Sequence, residues 1–189
     1  MRSVLVAFVL LLFASAASAQ STADVVFGFA YTHPEFSDAH LSAGDSLAGW
    51  LGAVDVPVGG HWGVTARADG AYGELFRQGV VIRPLGQSVR STIYTVSGGP
   101  RLSVTRSSVT AFADGLFGIA HGTAQSALID FLAAVDDTKF VGGGGGGVVV
   151  HLARPFDVQF DVQYRRTHLF DQTLNLVQAG AGIALRLSR

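Results

Sequence analysis

The chain contains no cysteine among its 189 residues. That excludes disulfide scaffolds, thiolate metal sites and thiol nucleophiles. Charge is scarce as well: Asp, Glu, Lys and Arg make up 14% of the sequence, the formal net charge is −1, and no basic block stands out. Nucleic acid is therefore not an expected partner. A long apolar run is also missing once the first residues are passed. A membrane-crossing helix needs roughly 20 such residues in succession. Yet the mean hydropathy is positive. An apolar chain with no helical span is either a large-core soluble β protein or a membrane barrel, in which only every second residue is apolar.

The N-terminus reads as an export signal. Arg2 precedes an apolar run from Val4 to Phe13, and small residues follow up to Ala17-Ser18-Ala19. This order of basic start, short apolar core and A-x-A site marks a signal peptide over residues 1–19. Residues 20–189 then form one domain of ordinary length.

Alternation is what the remaining sequence has in abundance. In Phe156–Arg166, Phe156, Val158, Phe160, Val162 and Tyr164 share one parity, while Asp157, Gln159, Asp161, Gln163 and Arg165 share the other. A period of two places these sets on opposite faces of a strand. With that template, eight strands are expected near 24–32, 46–56, 61–72, 92–102, 108–120, 139–151, 156–166 and 174–187. Short connections at Pro57–Gly60, around Thr105-Arg106 and at Ala153–Pro155 alternate with longer ones at 33–45, 73–91, 121–138 and 167–173. The fold class expected is all-β: an eight-stranded antiparallel up-and-down transmembrane barrel with short periplasmic turns and longer extracellular loops.

Side-chain placement supports this reading. Tyr31, Tyr72, Tyr94 and Tyr164 all fall at the long-loop ends of the expected strands. Aromatics with a polar tip favour the headgroup level, so these four form one expected girdle, with Trp62 and Phe156 in the opposite one. Trp50 fits neither belt neatly. Arg67, Asp69, Asp114 and Asp161 lie near mid-strand, and Asp55, Arg101, Asp157 and Arg186 lie nearer the short turns. With Arg165 they form an expected lumen charge network, because charges inside a narrow barrel must find partners. Two layers are expected: Arg67 with Asp114 or Asp161, and Arg101 or Arg186 with Asp55 or Asp157. Phe112 and Leu116 share parity with Asp114 and break the pattern, which implies a mixed lumen or a displaced register.

The C-terminal third carries a resemblance. A glycine-rich strand, Val162-Gln163-Tyr164-Arg165-Arg166-Thr167 and Ala179-Gly180-Ala181-Gly182-Ile183 resemble the outer-membrane protein A-like family of small eight-stranded barrels. The resemblance implies a location in the bacterial outer membrane, contact with its lipids and lipopolysaccharide, and insertion by the barrel-assembly machinery. Many such proteins end in an aromatic residue, whereas this chain ends Leu185-Arg-Leu-Ser-Arg189.

Candidate chemistry is sparse. The run Gly142–Gly147 precedes Val148-Val149-Val150, which starts a strand and not the helix of a phosphate loop. It reads as a barrel strand whose lack of side chains leaves room for large neighbours. His40-x-Ser42 with Asp38 or Asp45 has the residue types of a lipid-deacylating serine site, and the bland alternative is an ordinary loop. Asp136 and Asp137, with Asp130, are cation ligands only if the third long loop folds around an ion. The six histidines are scattered without ligand spacing. Ser126–Val135 has helical spacing at Leu128, Phe131, Leu132 and Val135. No cofactor and no enzymatic activity are expected. The function expected is structural or interfacial, the alternatives being a lipid-modifying barrel enzyme or a secreted lipocalin-like barrel for a small apolar ligand.

Overall fold

The computed structural model describes residues 23–36, 46–75, 89–126, 135–153, 155–169 and 172–187. These residues form eight strands: β1 (Ala23–Phe36), β2 (Leu47–Gly59), β3 (Trp62–Leu75), β4 (Val89–Arg106), β5 (Val109–Ser126), β6 (Val135–Ala153), β7 (Phe156–Leu169) and β8 (Gln172–Leu187). Each strand pairs antiparallel with the next, and β1 pairs with β8 over Ala23↔Leu187 to Phe36↔Leu174, so the sheet closes into a barrel.

The period-two pattern sets which face looks inward. Along β7, the odd positions Asp157 to Leu169 are buried, while Phe156, Phe160, Val162 and Tyr164 are exposed on the outer wall. The same division runs round the barrel. Phe29 is 82% exposed, Phe117 59%, Phe140 65% and Ile183 54%. Arg67, Asp69, Asp161 and Arg165, by contrast, are all 4% exposed or less. This is the inverse of a soluble barrel.

The strands run longer than the alternation suggested. A tilted membrane strand needs about 9–11 residues, whereas β2 has 13 and β6 has 19. The surplus stands mostly at the long-connection end, called the loop end below. There the apolar alternation stops while backbone pairing continues, as at Glu35↔Asn175 and Thr123↔Asp136. The connection expected to be long at 167–173 reduces to two positions between Leu169 and Gln172. At the opposite, turn end, β4 and β5 meet at Ser107-Ser108, two residues beyond the expected turn, and Gly60 adopts φ 59° between β2 and β3. Of the segment with helical spacing, Ser126 and Val135 end and begin strands, and the residues between them lie outside those described.

The six glycines are the middle of β6. Gly143, Gly145 and Gly147 share parity with buried Val141 and Val149, so they line the lumen. Large neighbours from β5 and β7 lie over them. A Cβ on Gly143 would stand 2.7 Å from Arg165 Cα, one on Gly145 2.6 Å from Gln163 Cδ, and one on Gly147 2.8 Å from the tip of the Phe112 ring. Side chains there would collide with backbone and filled lumen alike. Overpacking of this kind costs about 1–3 kcal/mol per site and more where backbone must move. Replacing both Gly143 and Gly145 by Val is expected to abolish refolding, read as loss of the heat-modifiable folded band in gels. An unchanged folding yield would contradict the crowding account.

Candidate functional site in the sealed lumen and on the outer wall

The centre of the lumen is built by β3 and β7, which face each other across the barrel. β3 presents Arg67 and Asp69, and β7 presents Asp161 and Arg165. Arg67 donates to both oxygens of Asp161 at 3.0 and 3.1 Å, and Arg165 donates to both oxygens of Asp69 at 2.7 and 3.0 Å. Arg67 Nε also lies 3.6 Å from Asp69. Two forked pairs thus tie opposite walls, with the geometry in which guanidinium and carboxylate bind best. Gln178 of β8 sits between them. Its Oε1 accepts from Arg67 at 2.9 Å and from Arg165 at 2.8 Å, and its Nε2 donates to Thr32 at 3.1 Å. Gln159 donates to Asp161 at 3.2 Å. Each buried charge in this layer therefore meets an opposite charge and a neutral partner, which burial in a low dielectric demands.

A second layer lies toward the turn end. Arg101 donates to Asp114 at 2.7 and 3.1 Å, pairs with Asp55, and places its guanidinium 4.0 Å from the centroid of the Phe112 ring. Asp114 belongs to this layer and not with Arg67. Phe112 and Leu116, which broke the alternation, point inward with it at 7% and 1% exposure, so the lumen is mixed in character. Nearer the rim, hydrogen bonds run across five strands: Thr105 to Thr110 at 2.7 Å, Thr110 to His151 at 2.7 Å, His151 to Asp157 at 3.0 Å, and Asp157 to Arg186 at 2.5 Å. Thr105, Thr110, His151 and Arg186 line a vestibule of about 500 Å3 together with Asp24 and Asp55.

A third layer was not visible in the sequence. Leu47, Ala71, Ile93, Ala120, Val141, Leu169, Leu174 and Leu176 form one buried apolar cluster at the loop end of the lumen. The charged layer is thus covered from that side by a hydrophobic plug. Gln178 was missed for a related reason, because only the barrel brings β8 between β3 and β7; His151 meets Asp157 through the register of the β6–β7 hairpin.

On the outer wall, Tyr31, Tyr72, Tyr94 and Tyr164 are all exposed near the loop end, and Trp62 and Phe156 are exposed near the turn end. Trp50 joins the first group. Its indole donates to the Tyr72 hydroxyl at 3.0 Å, the Tyr72 hydroxyl donates to that of Tyr94 at 3.3 Å, and the two tyrosine rings meet edge-on at 5.8 Å. Gly70 lies beneath, where a Cβ would meet Trp50 Nε1 at 2.7 Å.

Asp136 and Asp137 stand on β6 and not in a loop, and Asp137 pairs with Lys139 at 3.4 Å. Asp38, His40, Ser42, Asp45 and Asp130 lie outside the described residues. Among the described residues no group of three or more His, Asp or Glu is arranged to hold a metal ion.

A closed barrel with an apolar exterior and ion-paired interior defines a class, the transmembrane β-barrel. Comparison with known proteins narrows it. The chain belongs to the outer membrane protein beta-barrel domain family, whose model matches residues 4–186. It is similar in fold to Ail of Yersinia pestis, solved with the heparin analogue sucrose octasulfate, at 18% identity and a TM-score of 0.59, over 88% of this chain and 100% of that one. It is also similar to OprG of Pseudomonas aeruginosa at 13% identity and a TM-score of 0.61, over 89% and 97%. A major outer membrane protein of Thermus thermophilus matches at 12% identity with a TM-score of 0.56, over 87% and 99%. No curated protein matches in sequence.

Removing one partner of a buried pair strands the other charge, which costs about 3–5 kcal/mol. Arg67→Met is therefore expected to lower unfolding stability by about that amount. Adding Asp161→Leu to it should recover part of the loss, measured as the coupling in a double-mutant cycle in denaturant. Additive losses would mean that the pair is not a functional unit of the fold.

Proposed function

We propose that the protein is a closed structural or interaction barrel of the bacterial outer membrane, exported by the signal at residues 1–19 and without enzymatic activity. The observation that carries this reading is the filled lumen. The Arg67–Asp161 and Arg165–Asp69 pairs occupy its centre, and the apolar cluster around Leu47, Ile93 and Leu176 covers them. An eight-stranded barrel is narrow enough for side chains to fill it. Solute flow of the kind porins support has no route through such an interior.

The network of Arg67, Asp69, Asp114, Asp161, Arg101, Asp157, Arg165 and Arg186 serves to brace the wall from within. Tyr31, Tyr72, Tyr94 and Tyr164, with Trp50, sit at the headgroup level of one leaflet, and Trp62 and Phe156 at that of the other. The three tight connections, at Gly60-His61, Ser107-Ser108 and Pro155, then face the periplasm. The long connections and the polar strand extensions face outward, where contact with partners takes place. Lipids and lipopolysaccharide surround the wall, and insertion depends on the barrel-assembly machinery. The outward placement of Phe29, Phe140 and Phe160 disfavours a lipocalin-like soluble barrel, which needs its apolar side chains inside.

The test is conductance. Purified protein in planar bilayers is expected to show no porin-scale current, and cell fractionation is expected to recover it with outer membranes as a heat-modifiable band. Steady porin-sized openings in the unmodified protein would overturn the closed-barrel reading.

A further inference from the structure

The charges bordering the vestibule at the turn end do not balance. Asp24 and Asp55 are direct partners in register on β1 and β2, and both line its wall. Like charges placed opposite each other on neighbouring strands destabilise a sheet. The guanidinium groups at hand are already engaged. Arg101 is shared by Asp55 and Asp114, and Arg186, the partner of Asp24 on β8, reaches Asp157 and His151 instead. Among the described residues Asp24 makes no hydrogen bond and no ion pair. Four carboxylates thus face two guanidinium groups, and a protonated His151 would still leave one negative charge in excess.

Two buried acceptors on the same cavity are also unpaired. Asp55 is 7% exposed, and while its Oδ2 meets Arg101, its Oδ1 has no hydrogen-bond partner. Gln159, one inward step deeper on β7 than Asp157, lines the same vestibule and is 1% exposed. Its Nε2 donates to Asp161 at 3.2 Å, which leaves its Oε1 buried and without a donor. Burial of an acceptor without a donor is unfavourable, so these oxygens mark where a donor belongs. Phe112, Val149 and Ala184 add apolar surface to the lining. At about 500 Å3 the space is far larger than one ion or one water fills.

We infer that the vestibule binds a small aliphatic diamine, whose ammonium groups are held by Asp24, Asp55 Oδ1 and Gln159 Oε1 and whose methylenes lie against Phe112, Val149 and Ala184. An alkylammonium carries three donors and no acceptor, so it suits a site of unpaired oxygens. A second ammonium matches the excess of two negative charges while His151 is neutral. The same excess disfavours a zwitterion, which brings a carboxylate of its own. Toward the centre the Arg101–Asp114 and Arg67–Asp161 pairs close the cavity. The ligand therefore enters and leaves at the turn end, and the barrel stays sealed to solute flow.

The full chain, folded in detergent, is titrated with the four-carbon diamine putrescine at low ionic strength in phosphate buffer, and binding is read by isothermal titration calorimetry. The wild type is expected to bind. Asp24→Asn, or Asp24→Ser if the first variant folds poorly, should bind about tenfold more weakly, as loss of one charge-assisted contact implies. Butanediol, the uncharged analogue, should give no binding heat, and magnesium chloride at the same concentration should not compete. Glu35→Gln removes an exposed acid from the outer face at the loop end; it is the control for bulk charge and should change nothing. No binding by the wild type, equal binding by a folded Asp24 variant, an equal loss in Glu35→Gln, equal binding of butanediol, or displacement by magnesium overturns the diamine site. Each of these outcomes leaves the closed-barrel reading standing, since conductance tests that separately.

Discussion

Closure of the backbone hydrogen-bond ladder is the constraint on which the rest of this molecule depends. Hydrocarbon offers no partner for an amide or carbonyl, so a sheet in a bilayer must have no edge. The long β1–β8 register meets that demand, from Ala23↔Leu187 to Phe36↔Leu174. Once the sheet is closed, the alternation of side chains has only one consistent outcome. One parity touches lipid and the other is enclosed in a space a few side chains wide.

That enclosure explains why the interior looks as it does. Arg67, Asp69, Asp161 and Arg165 are withdrawn from water almost completely, and each charge is held by an opposite one at hydrogen-bond distance. Such pairs seldom add stability over well-packed apolar residues, yet they are strongly destabilising when broken. Here they join β3 to β7, which no backbone hydrogen bond connects. The glycines of β6 belong to the same arrangement, since the groups filling the lumen from β5 and β7 need the volume that side chains at 143, 145 and 147 would take. The outer wall follows different rules. Aromatic groups collect near its two rims.

Along the chain, β7 was the most legible element, because strict alternation from Phe156 to Tyr164 separates its two faces without ambiguity. The glycine run was legible as a strand only through Val148-Val149-Val150 after it. Less legible were the strand ends. Beyond the tyrosines the outward positions turn polar, as at Glu35, Thr123 and Asp136, so no apolar outer face marks a strand that backbone pairing alone sustains. The inward leucines Leu47, Leu174 and Leu176 were hidden for the opposite reason. An apolar residue on the inner parity looks like an error in the pattern until eight of them are found in one cluster.

By itself, the sequence determined the class of the protein: period-two alternation, the absence of a helical span and the even number of strands follow from side-chain chemistry along one dimension. Which strands face each other is a property of the closed cylinder and of its stagger. Only the tertiary structure decided that Asp114 is held by Arg101, that Gln178 is shared between two arginines, and that Trp50 completes a cluster with Tyr72 and Tyr94. The physical reason is that these contacts join residues on different strands, and their distances are set by barrel geometry, which local periodicity does not encode.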